Sequence, residues 1–121
     1  MKQTMLTLMP LAALALLAGC AQQPRPSVYD IGQHWGECYF DSEIKIWPDE
    51  QHSASSLAMD IQHECAGFLK TYVYALIANG YSANAAGDAF NLEREFTHST
   101  EQFLLEREIQ ALRYAVKQKD Q

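Results

Sequence analysis

The sequence predicts an all-α domain: a small helical hairpin or bundle of three to four helices held together by one disulfide. Three observations support this fold class. Beyond residue 28 the only proline is Pro48, which leaves room for long helices. Apolar residues recur at steps of three and four, the spacing of one helix face. Cys38 and Cys65 lie at similar distances on either side of the turn that follows Pro48.

A first helix is predicted from residue 28 to residue 47. Ser27 or Asp30 can cap its start, and Pro48 ends it because the residue before a proline avoids the helical region. Residues 43–47 alternate between polar and apolar, so a short strand there is the alternative. One face of the predicted helix carries five apolar residues: Val28, Ile31, Trp35, Tyr39 and Ile46.

The second helix has the clearest periodicity in the chain. The turn before it covers residues 48–54, and Ser53, Ser55 or Ser56 is the expected N-cap. Because the pattern continues without a break, we expect one helix that ends near residue 79. Its apolar stripe steps by three and four: Leu57, Ile61, Cys65, Phe68, Tyr72 and Leu76.

Glycines mark weak points and ends in these helices. Gly32, Gly36 and Gly67 are interior positions, where each glycine costs about 1 kcal/mol relative to alanine. Gly32 and Gly36 are four residues apart, so on a helix they share a face that would admit a close neighbour. Gly80 falls where a glycine commonly follows a helix end.

The last third of the chain has two apolar stripes that point in opposite directions. One straight helix cannot bury both against the same neighbour, so we expect a helix over 88–97 and another over 100–118. Ser99 and Gln102 match a capping box at the break between them. One long helix buried on two sides is the alternative. The first stripe comprises Leu92, Phe96 and Phe103; the second comprises Leu105, Ile109, Leu112 and Val116.

We predict a disulfide between Cys38 and Cys65. Packed helices bring facing Cα atoms to roughly 4–6 Å, which is the disulfide range. The competing hypotheses are a metal site that includes His34 and a catalytic Cys–His pair of Cys38 with His34. The metal set lacks a fourth ligand, since His63 would point away from Cys65 on the helix, and the catalytic pair needs a free thiol. We therefore expect no metal, no cofactor and no catalytic residue.

Charge and motifs exclude several function classes. Without residues 1–19, eight Lys and Arg residues face fifteen Asp and Glu residues, a net charge of about −7. This balance argues against nucleic-acid binding, which depends on basic residues that neutralise phosphates. The pairs Glu93/Glu95 and Glu106/Glu108 diverge on a helix and cannot act as a carboxylate dyad. No phosphate loop or Gly-x-Ser-x-Gly motif is present, so we predict that the protein is not an enzyme.

The first twenty residues predict export and lipidation. Lys2 precedes a segment of about thirteen residues, Met5–Leu17, which is apolar except for Thr7, suits a signal peptide and is too short to span a bilayer. Leu17-Ala18-Gly19-Cys20 follows. This segment resembles the lipobox of bacterial lipoproteins, and the resemblance covers residues 1–22 only. It implies cleavage before Cys20 and acylation of Cys20. If the source is Gram-negative, Ala21 at the next position implies outer-membrane anchorage facing the periplasm.

These features divide the chain into a signal peptide (1–19), a lipidated tether (20–27) and one helical domain (28–121). Two prolines keep the tether extended, so at about 3 Å per residue it places the domain roughly 20 Å from the lipid. An ordinary cleaved signal peptide with a chance cysteine is the alternative.

Three function classes remain, and we favour a non-enzymatic accessory module that binds another envelope protein. The alternative is a periplasmic inhibitor or immunity protein against a toxin or cell-wall enzyme, with Asp49 and Glu50 as its acidic loop. An enzyme is the third. The binding surface is expected on the apolar stripe that the other helices leave uncovered. Five residues are candidates for the interface: Trp47, Tyr74, Tyr81, Leu92 and Leu105.

Overall fold

The computed structural model describes residues 26–81 and 83–120, and it is all-α, as the sequence predicts. The signal peptide, Cys20 and most of the tether lie outside these residues. None of the described helices combines the length and the apolar character that crossing a membrane requires. The described helices are α1 (Val28–Glu43), α2 (Ala54–Glu64), α3 (Gly67–Ala78) and α4 (Ala85–Lys119).

Helix α1 begins as predicted and ends four residues early. The Ser27 side chain accepts a hydrogen bond from the Asp30 backbone N–H at 3.2 Å, the usual N-cap geometry. The helix ends at Glu43, and the next residues form a turn in which the Ile46 N–H donates to the Glu43 carbonyl. The predicted extension to residue 47 is therefore wrong, and so is the alternative of a strand there.

The predicted second helix is two helices, which meet at Cys65 and Ala66. Backbone bonds tighten at the junction: the Phe68 N–H donates to the Cys65 carbonyl at 3.2 Å, three residues back. Such 3₁₀-type bonds are common where an α-helix ends. Helical preference is low at this point because the disulfide-bonded Cys65 is followed two residues later by Gly67. The start and the end follow prediction, with Ser53 as N-cap and Gly80 at φ +87° after α3.

Helix α4 is continuous, so the predicted break near residues 98–99 is wrong. Its 35 residues extend roughly 52 Å. At the expected break, the Thr97 hydroxyl donates to the Glu93 carbonyl of its own helix, and the Thr100 hydroxyl donates to the Glu43 side chain. These hydroxyls are satisfied without interrupting the helix. The break was predicted on the assumption that both apolar stripes pack against the rest of the bundle, and only Leu92, Phe96 and Phe103 do so.

The core forms around Trp35, which is fully buried. Its ring packs 5.6 Å from Tyr72 of α3 and 5.4 Å from Phe96 of α4, measured between ring centroids. Gly32 and Gly36 make this approach possible. A Cβ atom on Gly32 would lie 3.3 Å from the Tyr72 ring, and one on Gly36 would lie 3.2 Å from Phe96. The prediction that the two glycines share a face with a close neighbour is confirmed.

Contacts along the bundle fix the direction of each helix. In the middle of α1, Trp35 meets Phe96, whereas at its end Glu43 meets Thr100, so α1 and α4 run parallel. Helices α2 and α3 run the opposite way, since the Ala54 N–H faces Glu108 of α4 and Asn79 bonds the Pro26 carbonyl beside the start of α1. The bundle therefore has a tether end, where the chain enters α1, and a far end.

The predicted disulfide joins α1 to the α2–α3 junction. The Cys38 and Cys65 sulfurs are bonded at 2.08 Å, with their Cα atoms 6.0 Å apart. Cys65 is buried in the core cluster. The antiparallel arrangement inferred from the spacing of the two cysteines is therefore confirmed.

Candidate binding surfaces

An open apolar groove of about 770 Å³ lies at the tether end of the bundle. The first turns of α1, the end of α3 and the first half of α4 form its walls. The volume falls in the range of protein binding pockets. Apolar and aromatic side chains supply most of its surface: Val28, Tyr29, Tyr72, Leu76, Tyr81, Leu92 and Phe96.

Tyrosines and one carboxylate give the groove its polar character. Tyr29 and Tyr81 are exposed, whereas Tyr72 is half-buried behind Gly32. Burial raises the pKa of Tyr72, and the negative charge of Asp88, which also lines the groove, raises it further. Both effects favour the neutral hydroxyl over the phenolate. The groove offers apolar area together with hydroxyl groups and a negative charge, a combination suited to a peptide segment.

The structure brings together two of the five predicted interface residues. Tyr81 and Leu92 both line the groove. They contribute differently, because Tyr81 is 63% exposed and Leu92 is half-buried against the core. The sequence pattern identified both residues but not the groove, which depends on how three helices pack.

Trp47, a third candidate, is exposed at the far end and lies against Arg107. The Arg107 guanidinium stacks 4.5 Å from the Trp47 ring and 4.5 Å from the Phe103 ring. Its Nη1 donates to the Ile46 carbonyl at 2.6 Å and the Glu43 carbonyl at 3.0 Å. Arg107 thus satisfies carbonyls that the end of α1 leaves free. Sequence reasoning missed this residue because its hydrogen bonds go to backbone carbonyls, which leave no signal in the sequence, and because Trp47 is 60 residues away in the chain.

Leu105, the fourth candidate, belongs to a second exposed apolar surface. Together with Ile109, Leu112 and Val116 it forms the outer stripe of α4, and all four are exposed. Leu104 and Thr100 are buried, and on the helix they lie about 110° and about 150° away from the centre of this stripe. From Ile109 onward every described residue is exposed, so α4 projects about 16 Å beyond the bundle.

Tyr74, the fifth candidate, stands apart from both surfaces. It is 60% exposed on α3, with the Lys70 ammonium 5.8 Å from its ring centroid. An isolated exposed tyrosine is common on protein surfaces and indicates no site by itself.

The two cysteines and His34 are engaged locally. Cys38 and Cys65 are bonded to each other, which removes the thiols that the metal and Cys–His hypotheses require. His34 pairs with Glu37 on the surface of α1 at 3.3 Å. Within residues 26–81 and 83–120, no three His, Cys, Asp or Glu side chains form a group that could hold a metal ion.

The acidic loop after Pro48 is a compact turn. The Asp49 carboxylate accepts hydrogen bonds from the backbone N–H groups of Gln51 and His52, both at 2.8 Å, and contacts the His52 ring at 3.0 Å. The bond from the Gln51 N–H and the contact with His52 lower the pKa of this exposed carboxyl. Asp49 therefore directs its carboxylate into its own turn.

Comparison with other proteins adds no identification. No protein-family model matches this chain, and neither the curated proteins nor the solved structures searched include a match.

Proposed function

We propose that this chain is a small lipid-anchored lipoprotein of the bacterial envelope that binds another envelope protein through the groove at its tether end. The single observation that carries this proposal is the groove itself. It is open, apolar and lined by three tyrosines, and aromatic side chains of this kind are enriched in protein interfaces. The protein acts by binding and carries out no chemistry of its own.

The anchor in this proposal is Cys20, and the membrane is the outer membrane with the domain facing the periplasm. Val28, the first residue of α1, also lines the groove. The groove therefore lies at the end from which the tether leaves, roughly 20 Å from the lipid for an extended tether. At this distance an anchored protein meets membrane-borne partners at a high effective concentration, so a weak interface suffices.

The chemistry of the groove favours the apolar face of an amphipathic segment with a basic residue beside it. Amphipathic helices bind in grooves of this type through a few apolar anchors. Asp88 lines the groove, and the domain as a whole is negatively charged. Both charges favour a partner segment with a positive charge at its edge.

The inhibitor alternative depends on a projecting acidic loop. Asp49 is the first acidic residue of that loop, and its carboxylate accepts hydrogen bonds from its own turn. The groove supports the accessory-module proposal, whereas no feature of this loop favours insertion into an enzyme cleft.

Site-specific photo-cross-linking in the intact envelope tests the groove. A photoreactive residue replaces Tyr81 in the groove or, as the matched control, Tyr74 outside it; the two tyrosines are 63% and 60% exposed. We expect Tyr81 to give one discrete protein adduct that Tyr74 does not give. The adduct should disappear when Tyr29→Asp, on the opposite wall, places a charge in the groove.

Three results would count against the proposal. Equal adducts from both positions would mean that contact is not specific to the groove. Adducts with lipid alone would mean that the groove binds acyl chains and not a protein. A protein adduct that survives Tyr29→Asp at full yield would place the partner outside the groove. Circular dichroism of each variant confirms that the helices are intact.

A further inference from the structure

The outer stripe of α4 follows the heptad repeat of a coiled coil. Leu105, Ile109, Leu112 and Val116 are separated by four, three and four residues, the spacing of the a and d positions. Ile109 and Val116 take position a, and Leu105 and Leu112 take position d. A β-branched residue at a with Leu at d favours two parallel strands over three or four.

This stripe faces away from the bundle along its whole length. Leu104, one residue before the stripe begins, is fully buried, while Leu105, about 100° further round the helix, is 40% exposed. The stripe continues onto the projecting end of α4, where every described residue from 109 to 120 is exposed. From Ile109 onward a second helix can therefore approach the stripe without meeting another helix of its own bundle. Near Leu105 the stripe borders the start of α2, where the Ala54 N–H donates to Glu108 at 3.5 Å.

The charges beside the stripe are complementary in a parallel pair. Glu108 takes position g, where one of its carboxylate oxygens accepts a 3.5 Å hydrogen bond from the Ala54 N–H of its own bundle. The exposed Arg113 takes position e of the next heptad. In a parallel, in-register dimer these two positions face each other across the interface. Two-fold symmetry would then give two ion pairs, each between Glu108 of one copy and Arg113 of the other. An antiparallel pair would instead bring Arg113 beside Glu106.

We propose that the outer stripe of α4 forms a parallel, two-stranded coiled coil with a second copy of this chain. The dimer requires neither the groove nor lipidation, so it is independent of the proposed function. Two heptads are fewer than the three to four that sustain a free-standing coiled coil. The dimer is therefore weak and dissociates on dilution, and anchoring both copies in one membrane would raise its population.

Disulfide trapping in the full chain tests the dimer. Residues at position d of a parallel coiled coil face each other, so Leu112→Cys should cross-link two chains under oxidising conditions. Tyr114→Cys, at position f on the opposite side, is the matched control, since Leu112 and Tyr114 are 62% and 66% exposed. We expect at least fivefold more double-mass product from Leu112→Cys on a non-reducing gel. The chain without either substitution is run on the same gel as a control, because it shows how much cross-linking occurs through Cys20.

Charge reversal then tests the orientation of the helices. In the Leu112→Cys background, Arg113→Glu should lower the cross-linked yield about fivefold, because it replaces two exposed ion pairs by two repulsions. Adding Glu108→Lys should restore the yield. Equal yields from Leu112→Cys and Tyr114→Cys, or no product from Leu112→Cys, would overturn the dimer. Rescue by Glu106→Lys in place of Glu108→Lys would overturn its parallel orientation.

Discussion

The two halves of α4 each carry an apolar stripe, and the two stripes have opposite environments. In the first half, Leu92, Phe96 and Phe103 pack against the core, whereas in the second, Leu105 and the three stripe residues after it are exposed. Both stripes have the periodicity of a helix face. Periodicity therefore predicts which residues share a face, and it does not predict whether the same chain covers that face.

The largest expected difference is between two adjacent leucines at the boundary of these halves. Leu104→Ala should lower the free energy of unfolding by about 4 kcal/mol, toward the upper end for Leu→Ala, because Leu104 is fully buried. Leu105→Ala should change it by less than about 1 kcal/mol, as for most surface substitutions. Urea denaturation at low protein concentration measures both. Similar losses in the two variants would mean that the stripe is covered within the monomer.

Loss of the disulfide should have the second-largest effect on stability. This bond joins α1 to the α2–α3 junction inside the bundle. Breaking the Cys38–Cys65 bond frees a loop with a sequence separation of 27. The chain-entropy model gives a loss of about 3.5 kcal/mol. Comparing the unfolding midpoint of the Cys38→Ala/Cys65→Ala variant with that of the unmodified chain measures the loss. Two thiols that react with an alkylating reagent in the unreduced, unmodified protein would contradict the bond itself.

The features that the sequence predicted correctly are those set by residues close together in the chain. The Ser27 and Ser53 caps depend on a hydroxyl and an N–H three residues away, and the end of α3 depends on Gly80. The disulfide joins residues that are far apart in the chain, yet the sequence predicted it. In a helical hairpin, two residues at similar distances from the turn face each other. Helix faces followed from periodicity alone.

The features that the sequence did not predict depend on contacts between distant segments. Helix α1 ends at Glu43, where Arg107, 64 residues later, bonds the free carbonyls. The groove forms where the first turns of α1, the end of α3 and the first half of α4 come together. The break between α2 and α3 lies at Cys65, which is disulfide-bonded and stands two residues before Gly67. Neither a disulfide-bonded cysteine nor a single glycine interrupts a helical sequence pattern by itself.

Arg107 and Arg113 provide a smaller comparison within α4. Arg107→Ala should lower the free energy of unfolding by about 2 kcal/mol, because it removes charged hydrogen bonds to the end of α1 and the stacking against Trp47. Arg113→Ala, in the exposed half, should change it by less than about 0.5 kcal/mol. Thermal unfolding of both variants checks this difference. Arg107→Lys should recover only part of the loss, since an ammonium cannot stack as a planar guanidinium does.

The smallest effect concerns how the covered half of α4 responds to alkaline pH. The Tyr39 ring packs 5.3 Å from Phe96, and its hydroxyl lies 3.2 Å from the Thr97 hydroxyl. Burial raises the pKa of Tyr39, the Thr97 hydrogen bond partly opposes this, and the nearby Glu93 charge adds to the rise. The folded protein thus holds the Tyr39 proton more tightly than the unfolded chain, in which tyrosine ionises near pH 10.

The sign of the pH dependence follows from that difference. The contribution of Tyr39 to stability is complete below about pH 10 and is lost as the pH rises through the higher pKa of the folded state. Tyrosinate absorbance during alkaline titration should show a late component in the folded protein that Tyr39→Phe reduces. Titration in denaturant, where the component should vanish, is the control. A late component of unchanged size in Tyr39→Phe would mean that Phe96 and Thr97 do not shield this hydroxyl, and that the covered half of α4 is more open than its packing indicates.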